Sequence, residues 1–265
     1  MILDKIVKKR TERIKQQKEK LPLNELIQNI DLKNIKNSNH SFPFEKALKR
    51  EKKSDISIIA EVKRASPSKG LIAENFNPIE IAKEYEKSGT SAISVLTEPD
   101  FFKGKNEYIT EIAKNITIPI LRKDFIIDEY MIYEAKIIGA SAILLIVSIL
   151  KESQLKNYIE IANNLGLSAL IEAHNEEEIK IAINCGARII GVNNRNLKDF
   201  TVNLNNSINL RKLVPKDLLF VSESGIKTPQ DIKKLKDNDI DAVLIGESLM
   251  KSNNKKEMIN SFKNA

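Results

Sequence analysis

One cysteine, Cys185, stands in the 265 residues, so the chain can close no internal disulfide. Tryptophan is absent and aromatic residues amount to 5%, which removes indole stacking from any functional reading. The two histidines, His40 and His174, cannot make a three-histidine metal site, and no metal is expected. No GxGxxG or GxxxxGK[ST] loop is present. The apolar run Ala142–Val147 is far too short to span a bilayer. Met1–Val7 lacks the apolar stretch of a secretory signal, and the first 20 residues lack Ser and carry Asp4, Glu12 and Glu19, unlike a transit peptide. A cytoplasmic protein without a membrane partner is the expectation. With 42% hydrophobic and 30% charged residues, the chain is neither disordered nor fibrous, and its length suits one large α/β domain or two small ones.

The net charge of +7 is unevenly spread. Residues 1–53 carry 15 Lys plus Arg against 7 Asp plus Glu, whereas residues 54–265 carry 28 against 29. A basic arm can bind nucleic acid. Here acidic residues interrupt it and no aromatic occurs in its first 41 positions, so a solvated basic face is expected and no nucleic-acid partner. The apolar positions Ile2, Leu3, Ile6, Val7 and Ile14 predict an amphipathic helix over residues 2–18. Pro22 predicts the start of a second helix to about Ile30, and Pro43 a third through Arg50, with a polar loop at Asn34–Ser41.

From Ile56 short apolar runs alternate with polar helical stretches. The runs are Ile56–Val62, Ala92–Leu96, Ile118–Leu121, Ala142–Val147, Ala169–Ile171, Ile189–Val192, Leu218–Val221 and Ala242–Ile245; placing the strand ends at about Glu61, Leu96, Leu121, Val147, Glu172, Asn193, Ser222 and Gly246 spaces them by 35, 25, 26, 25, 21, 29 and 24 residues. Each gap fits a strand plus a crossover helix. A glycine followed by small residues recurs ahead of the strands, as in Gly89-Thr90-Ser91-Ala92, Gly139-Ala140-Ser141-Ala142, Gly166-Leu167-Ser168-Ala169 and Gly186-Ala187-Arg188-Ile189, with a glycine-less version at Asn238–Val243. Eight such units predict an α/β fold, a (β/α)8 TIM barrel with an N-terminal helical extension. Residues 1–265 are expected to form a single domain, with 1–53 as the basic helical extension and 54–265 as the eight βα units. A doubly wound open sheet is the alternative, and it lacks its usual phosphate loop.

A barrel strand turns alternate side chains inward, and its C-terminal end opens on the catalytic face. Glu61 and Lys63 share one parity and can pair at the mouth. At the next charged strand end Arg122 and Lys123 have opposite parities, and Lys123 points inward if Leu121 does. Glu172 closes an apolar strand, where burial would raise its pKa and suit acid–base work, while His174 is expected outward or in a loop. Asn193 and Arg195 can offer donors to an anionic or polyhydroxy substrate. The small residues of Ser224-Gly225 and Gly246-Glu247-Ser248 follow the last two strands, where barrels commonly hold phosphate. A small phosphorylated substrate is therefore expected.

The ordered segments Ile59-Ala60-Glu61-Val62-Lys63-Arg64-Ala65-Ser66-Pro67-Ser68-Lys69-Gly70, Ser94-Val95-Leu96-Thr97-Glu98-Pro99, Leu121-Arg122-Lys123-Asp124-Phe125, Gly191-Val192-Asn193-Asn194-Arg195-Asn196-Leu197, Ser222-Glu223-Ser224-Gly225-Ile226 and Ile245-Gly246-Glu247-Ser248-Leu249-Met250 give the chain a close resemblance. It resembles the indole-3-glycerol-phosphate synthase family of tryptophan biosynthesis. Ala173 and Asn194 fall where that family appears variable. The resemblance implies decarboxylating ring closure and dehydration of 1-(2-carboxyphenylamino)-1-deoxyribulose 5-phosphate to indole-3-glycerol phosphate, with no cofactor. It implies Lys123 as general acid, Glu172 as the base in dehydration, Lys63 as an anion contact that helps proton transfer, and Glu61 as its orienting partner. Asn193 and Arg195 would position the substrate, Glu223 would shape the same pocket and Phe125 would contact the aromatic ring, with Leu96 and Ile171 as apolar wall or core. Ser66, Ser224, Gly225, Gly246 and Ser248 would cradle its phosphate. A monomer is expected, with room for a non-covalent pathway partner.

Three other readings share parts of this pattern. Phosphoribosylanthranilate isomerase would be expected to place a Cys base at the first strand end, where Glu61 and Lys63 stand, while Cys185 precedes the sixth strand. A Schiff-base aldolase could use Lys123 and would be trapped by borohydride with a sugar phosphate. A non-enzymatic anion-binding module would have no need of Glu61, Lys63, Lys123 and Glu172.

Overall fold

The computed structural model describes residues 2–30, 41–50, 55–196 and 199–265. Its centre is a closed barrel of eight parallel strands, in which the last pairs with the first. The strands are β1 (Ser57–Val62), β2 (Ala92–Leu96), β3 (Ile120–Lys123), β4 (Ala142–Ile146), β5 (Ser168–Ala173), β6 (Ile189–Asn193), β7 (Leu219–Glu223) and β8 (Ala242–Ile245). All eight predicted strands occur, although β3 and β7 carry the charged residue that closes each one inside the strand. The expected division at residues 53 and 54, the polar loop over residues 34–40, and His40 lie outside the described residues.

Two apolar layers divide the strand residues by parity. Ile58, Ala60, Val62, Ile93, Val95 and their counterparts face the surrounding helices in one core cluster. Ile59, Leu121, Leu144, Leu170, Val221 and Leu244 fill the barrel interior in another. Ile171 belongs to the outer layer, so it is core and not pocket wall. The helices around the barrel are held by local chemistry. Asn77 and Thr228 accept backbone N–H bonds at two helix starts. The recurring glycines end helices at positive φ (Gly89 +79°, Gly139 +96°, Gly186 +86°), and Asp239 takes the same role at φ +58° in the glycine-less repeat. No helix among the described residues is long and apolar enough to cross a membrane.

The N-terminal segment serves both ends of the barrel. Helix α1 (Ile2–Lys20) lies by the C-terminal mouth, and α2 (Leu23–Gln28) follows it. Helix α3 (Pro43–Leu48) sits at the opposite end, where Phe44 and Leu48 are fully buried among Ala92, Ala142, Ile189 and Ala242. Alanines at the starts of three strands leave the space these two side chains fill. Ser57, which opens β1, donates its hydroxyl to the Leu48 carbonyl at 3.3 Å and fixes the plug.

The expectation of a solvated basic face holds for Lys5, Lys8, Lys9, Lys15 and Lys20 and fails for three other cations of α1. Arg10 is buried and pairs with buried Asp124 at 3.0 Å. Arg13 donates to Asp100 at 3.0 Å and Lys18 to Asp128 at 2.7 Å. These bonds tie α1 to the loops after β2 and β3, whose acids complement its charge.

Candidate active site

The barrel mouth encloses a cavity of about 640 Å³. Every expected site residue lines it: Glu61, Lys63, Ser66, Lys123, Phe125, Glu172, Asn193, Arg195, Glu223, Ser224, Gly225, Gly246 and Ser248. Their convergence follows from the pleat. Glu61, Lys123, Glu172 and Glu223 each stand two residues beyond an interior apolar residue (Ile59, Leu121, Leu170 and Val221) and so share its inward side. Arg122, on the other parity, points among the helices. There it is fully buried and donates to the Met131 carbonyl at 2.8 Å and to Glu134 at 2.6 Å. Leu121 does face the interior, which resolves the alternative between Arg122 and Lys123 in favour of Lys123.

At the floor of the cavity the Lys123 ammonium lies between two buried carboxylates. It donates to Glu172 Oε2 at 3.2 Å and makes a short contact with Glu223. One positive charge cannot neutralise both acids, and their surroundings separate them. Glu172 has further partners: Asn193 Nδ2 at 3.4 Å and His174 Nε2 at 3.3 Å from Oε1. Glu223 Oε1 is buried with no hydrogen-bond partner among the described residues. Burial acts to raise Glu172, but the Lys123 charge and His174 outweigh it and hold the carboxyl at about 2. The direction is opposite to the sequence expectation, which counted burial and not the two cations. Burial raises Glu223 to about 7, with Lys123 opposing and the Glu172 charge adding to the rise. The acid with the elevated pKa is therefore on β7. Burial alone would lower Lys123, yet the charges of Glu223, Glu172 and Glu61 raise it well above the usual lysine range.

A second pair stands on β1. Lys63 Nζ lies 2.5 Å from Glu61 Oε2, both side chains being mostly buried. Gly246, at the end of β8, makes room for them. A Cβ there would overlap the Glu61 carboxylate and come within 2.9 Å of Lys63 Nζ.

Across the cavity the lining is apolar and comes partly from unexpected places. Phe125 and Phe102 face each other with ring centroids 5.9 Å apart. Phe102 is presented by a loop that Glu98 builds, its buried carboxylate accepting the N–H groups of Asp100, Phe101 and Phe102 at 3.0, 2.8 and 3.0 Å. Leu96 lines the cavity, as do Ile2, Leu3 and Ile6 of α1, which the sequence reading left in the extension.

At the rim, Arg195 Nη2 is 3.6 Å from Glu247, which also accepts from Lys251 at 2.8 Å. Ser224 and Gly225 both adopt positive φ (+66° and +86°), a sharp turn directly after β7. The Ser248 hydroxyl donates to the Ile226 carbonyl at 2.8 Å and links the last two loops. Asn194, taken as a variable position, is buried and bridges three elements. Its Nδ2 donates to Ser222 Oγ at 2.9 Å and to the Glu223 and Ser224 carbonyls, while its Oδ1 accepts from Ser207 Oγ at 2.8 Å. His174 does follow β5 as a loop residue, but its ring turns toward Glu172 and not outward.

The family model of indole-3-glycerol phosphate synthase matches residues 3–262. The chain is 52% identical to the indole-3-glycerol phosphate synthase of Lachnoclostridium phytofermentans, with 99% of each chain covered. It is 53% identical to that of Endomicrobium trichonymphae, covering 99% of this chain and all of the relative (100%). Among solved structures, thiamine phosphate pyrophosphorylase from Pyrococcus furiosus superposes with a TM-score of 0.60 at 15% identity, covering 80% of this chain and 96% of that one. KGPDC from Streptococcus mutans gives 0.63 at 11%, covering 79% and 96%. These two distant likenesses speak for the barrel alone. The match over nearly the whole sequence decides the family: the chain belongs to the indole-3-glycerol phosphate synthases.

Proposed function

We propose a division of labour among the buried charges for the reaction of this family. The enzyme is a decarboxylating carbon–carbon lyase of tryptophan biosynthesis that acts on a small phosphorylated substrate. It closes the ring of 1-(2-carboxyphenylamino)-1-deoxyribulose 5-phosphate and releases indole-3-glycerol phosphate, CO2 and water. The ring carbon bearing the carboxylate attacks the ketose carbonyl, and Lys123 protonates the carbonyl oxygen as the new bond forms. Loss of CO2 returns its electron pair to the ring. The hydroxyl then leaves as water, taking a proton from Lys63, while a base takes a proton from the neighbouring carbon. Glu172, ionised at neutral pH, is that base. Lys63 receives the substrate carboxylate, and Glu61 holds Lys63 in place and offsets positive charge developing on the ring.

Asn193 and Arg195 hold the ribulose portion. Glu223 shapes the same pocket. The aromatic ring lies against Phe102 and Phe125, and the phosphate against Ser66, Ser224, Gly225, Gly246 and Ser248. The observation carrying this reading is the Lys123 ammonium between two buried carboxylates on the cavity floor. Residues 1–53 and 54–265 act as one unit, a reading supported by α1 lining the mouth and α3 filling the far end. We further place the protein in the cytoplasm as a monomer that needs no cofactor, with room for a non-covalent pathway partner.

The test is direct. The purified chain is incubated with the carboxyphenylamino ribulose phosphate, and product is followed by indole fluorescence. Saturable formation of indole-3-glycerol phosphate is expected. A preparation that is folded yet inert toward this substrate, or that is inactivated by borohydride in its presence, would overturn the reading. Light scattering during gel filtration should give a mass near 30.0 kDa if the chain is a monomer.

A further inference from the structure

Acid–base chemistry by Lys123 has an electrostatic consequence. When the ammonium turns toward the substrate or gives up its proton, Glu172 loses its cation while still buried. An uncompensated buried carboxylate is costly and tends to take up a proton. A base for the later step must therefore keep a second positive partner.

The sequence around β5 builds one. Glu172 and His174 are two residues apart and lie toward the same side. The imidazole reaches back so that Nε2 stands 3.3 Å from Glu172 Oε1, on the oxygen that Lys123 does not use. Its other nitrogen, Nδ1, is 2.9 Å from Glu178 Oε2. Glu178 is itself fixed at the first turn of the helix Glu176–Asn184. It accepts the His174 N–H at 2.8 Å and Asn175 Nδ2 at 3.1 Å, and its own N–H donates to Asn175 Oδ1 at 2.9 Å. Two carboxylates thus flank one imidazole: Glu178 is hydrogen-bonded at Nδ1, and Glu172 lies within ion-pair distance of Nε2, which makes no hydrogen bond among the described residues; two negative charges beside one ring favour its positive form. Among the described residues, the charged groups reaching the imidazole are Glu172 from β5 and Glu178 from the following helix. Lys123 of β3 and Glu223 of β7 lie beyond Glu172.

We propose that His174, anchored by Glu178, is a positioning residue: it fixes the Glu172 carboxylate and supplies its second positive partner, so that Lys123 is free to serve the substrate. The balance of forces on the ring agrees. Burial works against protonation, but the Glu172 and Glu178 carboxylates raise the imidazole to about 10. No bond is made or broken at His174, and the proton it carries stays there through the cycle. The inference rests on the roles given above to Lys123 and Glu172.

The first measurement uses the unaltered protein. Histidine labelled with 15N gives two imidazole spin systems, and H40N assigns them. His174 is expected to stay doubly protonated past pH 8. Titration near the ordinary histidine value, about 6.5, would overturn the proposal without touching the roles of Lys123 and Glu172. The second measurement is H174Q, whose amide keeps a donor but no charge. We expect kcat to fall about tenfold with KM nearly unchanged, and the acidic limb of the kcat profile to move up by about one pH unit. E178Q should shift the imidazole titration downward and lower kcat by less. A structural role alone would lower Tm and leave the pH profile in place, and that result would also sink the proposal. Full turnover by K123A would instead refute the underlying assignment of the general acid.

Discussion

The two ends of this barrel are built from the same strands and do opposite things. At the N-terminal end, Ile59, Leu121, Leu170 and Val221 point inward, and Phe44 and Leu48 seal the opening. Two residues further along the same strands stand Glu61, Lys123, Glu172 and Glu223. Two residues of strand span about 6.6 Å. Within that distance the interior passes from close-packed hydrocarbon to five charged groups, Lys63 included, around a cavity of about 640 Å³. The sealed end supplies the rigidity that lets the open end hold buried charges at fixed separations. It follows that stability and turnover should respond to substitutions at different ends.

The largest expected effect is at the open end. Lys123→Ala should lower kcat by roughly 10³–10⁴-fold, because the acid of the first step is removed. Its folded fraction should stay close to the parent's by circular dichroism and gel filtration. Near-normal indole formation by the purified variant would end the assignment. At the sealed end, Phe44→Ala should do the reverse. The side chain is fully buried, and its loss should cost about 3–4 kcal/mol in urea unfolding. Below the unfolding transition kcat should remain within about twofold, since the interior layer lies between the plug and the site. A tenfold fall in kcat without loss of stability would break the separation of the two ends.

Gly246→Ala tests the boundary more finely. A methyl group there collides with the Glu61 carboxylate, whose flexible side chain can yield. The backbone need not move, so Tm should change little. The Glu61–Lys63 pair would be displaced, and kcat/KM should fall about tenfold. An unchanged kcat/KM would mean that the position of this pair does not matter.

The same division explains what the sequence disclosed. Period-two alternation and the spacing of the apolar runs were enough for eight strands and for the inward parity of Lys123 once Leu121 was placed. They could not show which helix met which end. Ile2, Leu3 and Ile6 read as a stripe of an amphipathic helix, and nothing local says that part of the stripe faces the cavity. Arg10 did leave a signal. It stands four residues from both Ile6 and Ile14, all three are buried, and an arginine in phase with an apolar stripe needs an acid such as Asp124. His174 was missed because its meaning lies in two carboxylates at once, one two residues back and one four residues on. Glu172 was misjudged for a related reason. Burial is legible in a sequence, but the cations that outweigh it come from β3 and from the backward turn of the histidine.

The smallest effect separates the two carboxylates that share Lys123. Glu172 sits at about 2 in the folded protein, below its ordinary value of 4.5, so the stability it contributes is present above 4.5 and is lost as the pH falls through 2. Glu223 has the opposite sign. Its folded value, about 7, lies above 4.5, so its contribution is present below 4.5 and is lost as the pH rises through 7. Glu223→Gln mimics the protonated form and removes that loss. Relative to the parent, the variant should gain about 1 kcal/mol in urea unfolding between pH 6 and pH 7. Glu172→Gln should show no such gain over the same interval, since that carboxyl is already ionised in both states at pH 5 and above. Parallel curves for the two variants would mean that the acids share the ammonium evenly, and the asymmetry drawn from Asn193, His174 and the orphaned Glu223 oxygen would fail.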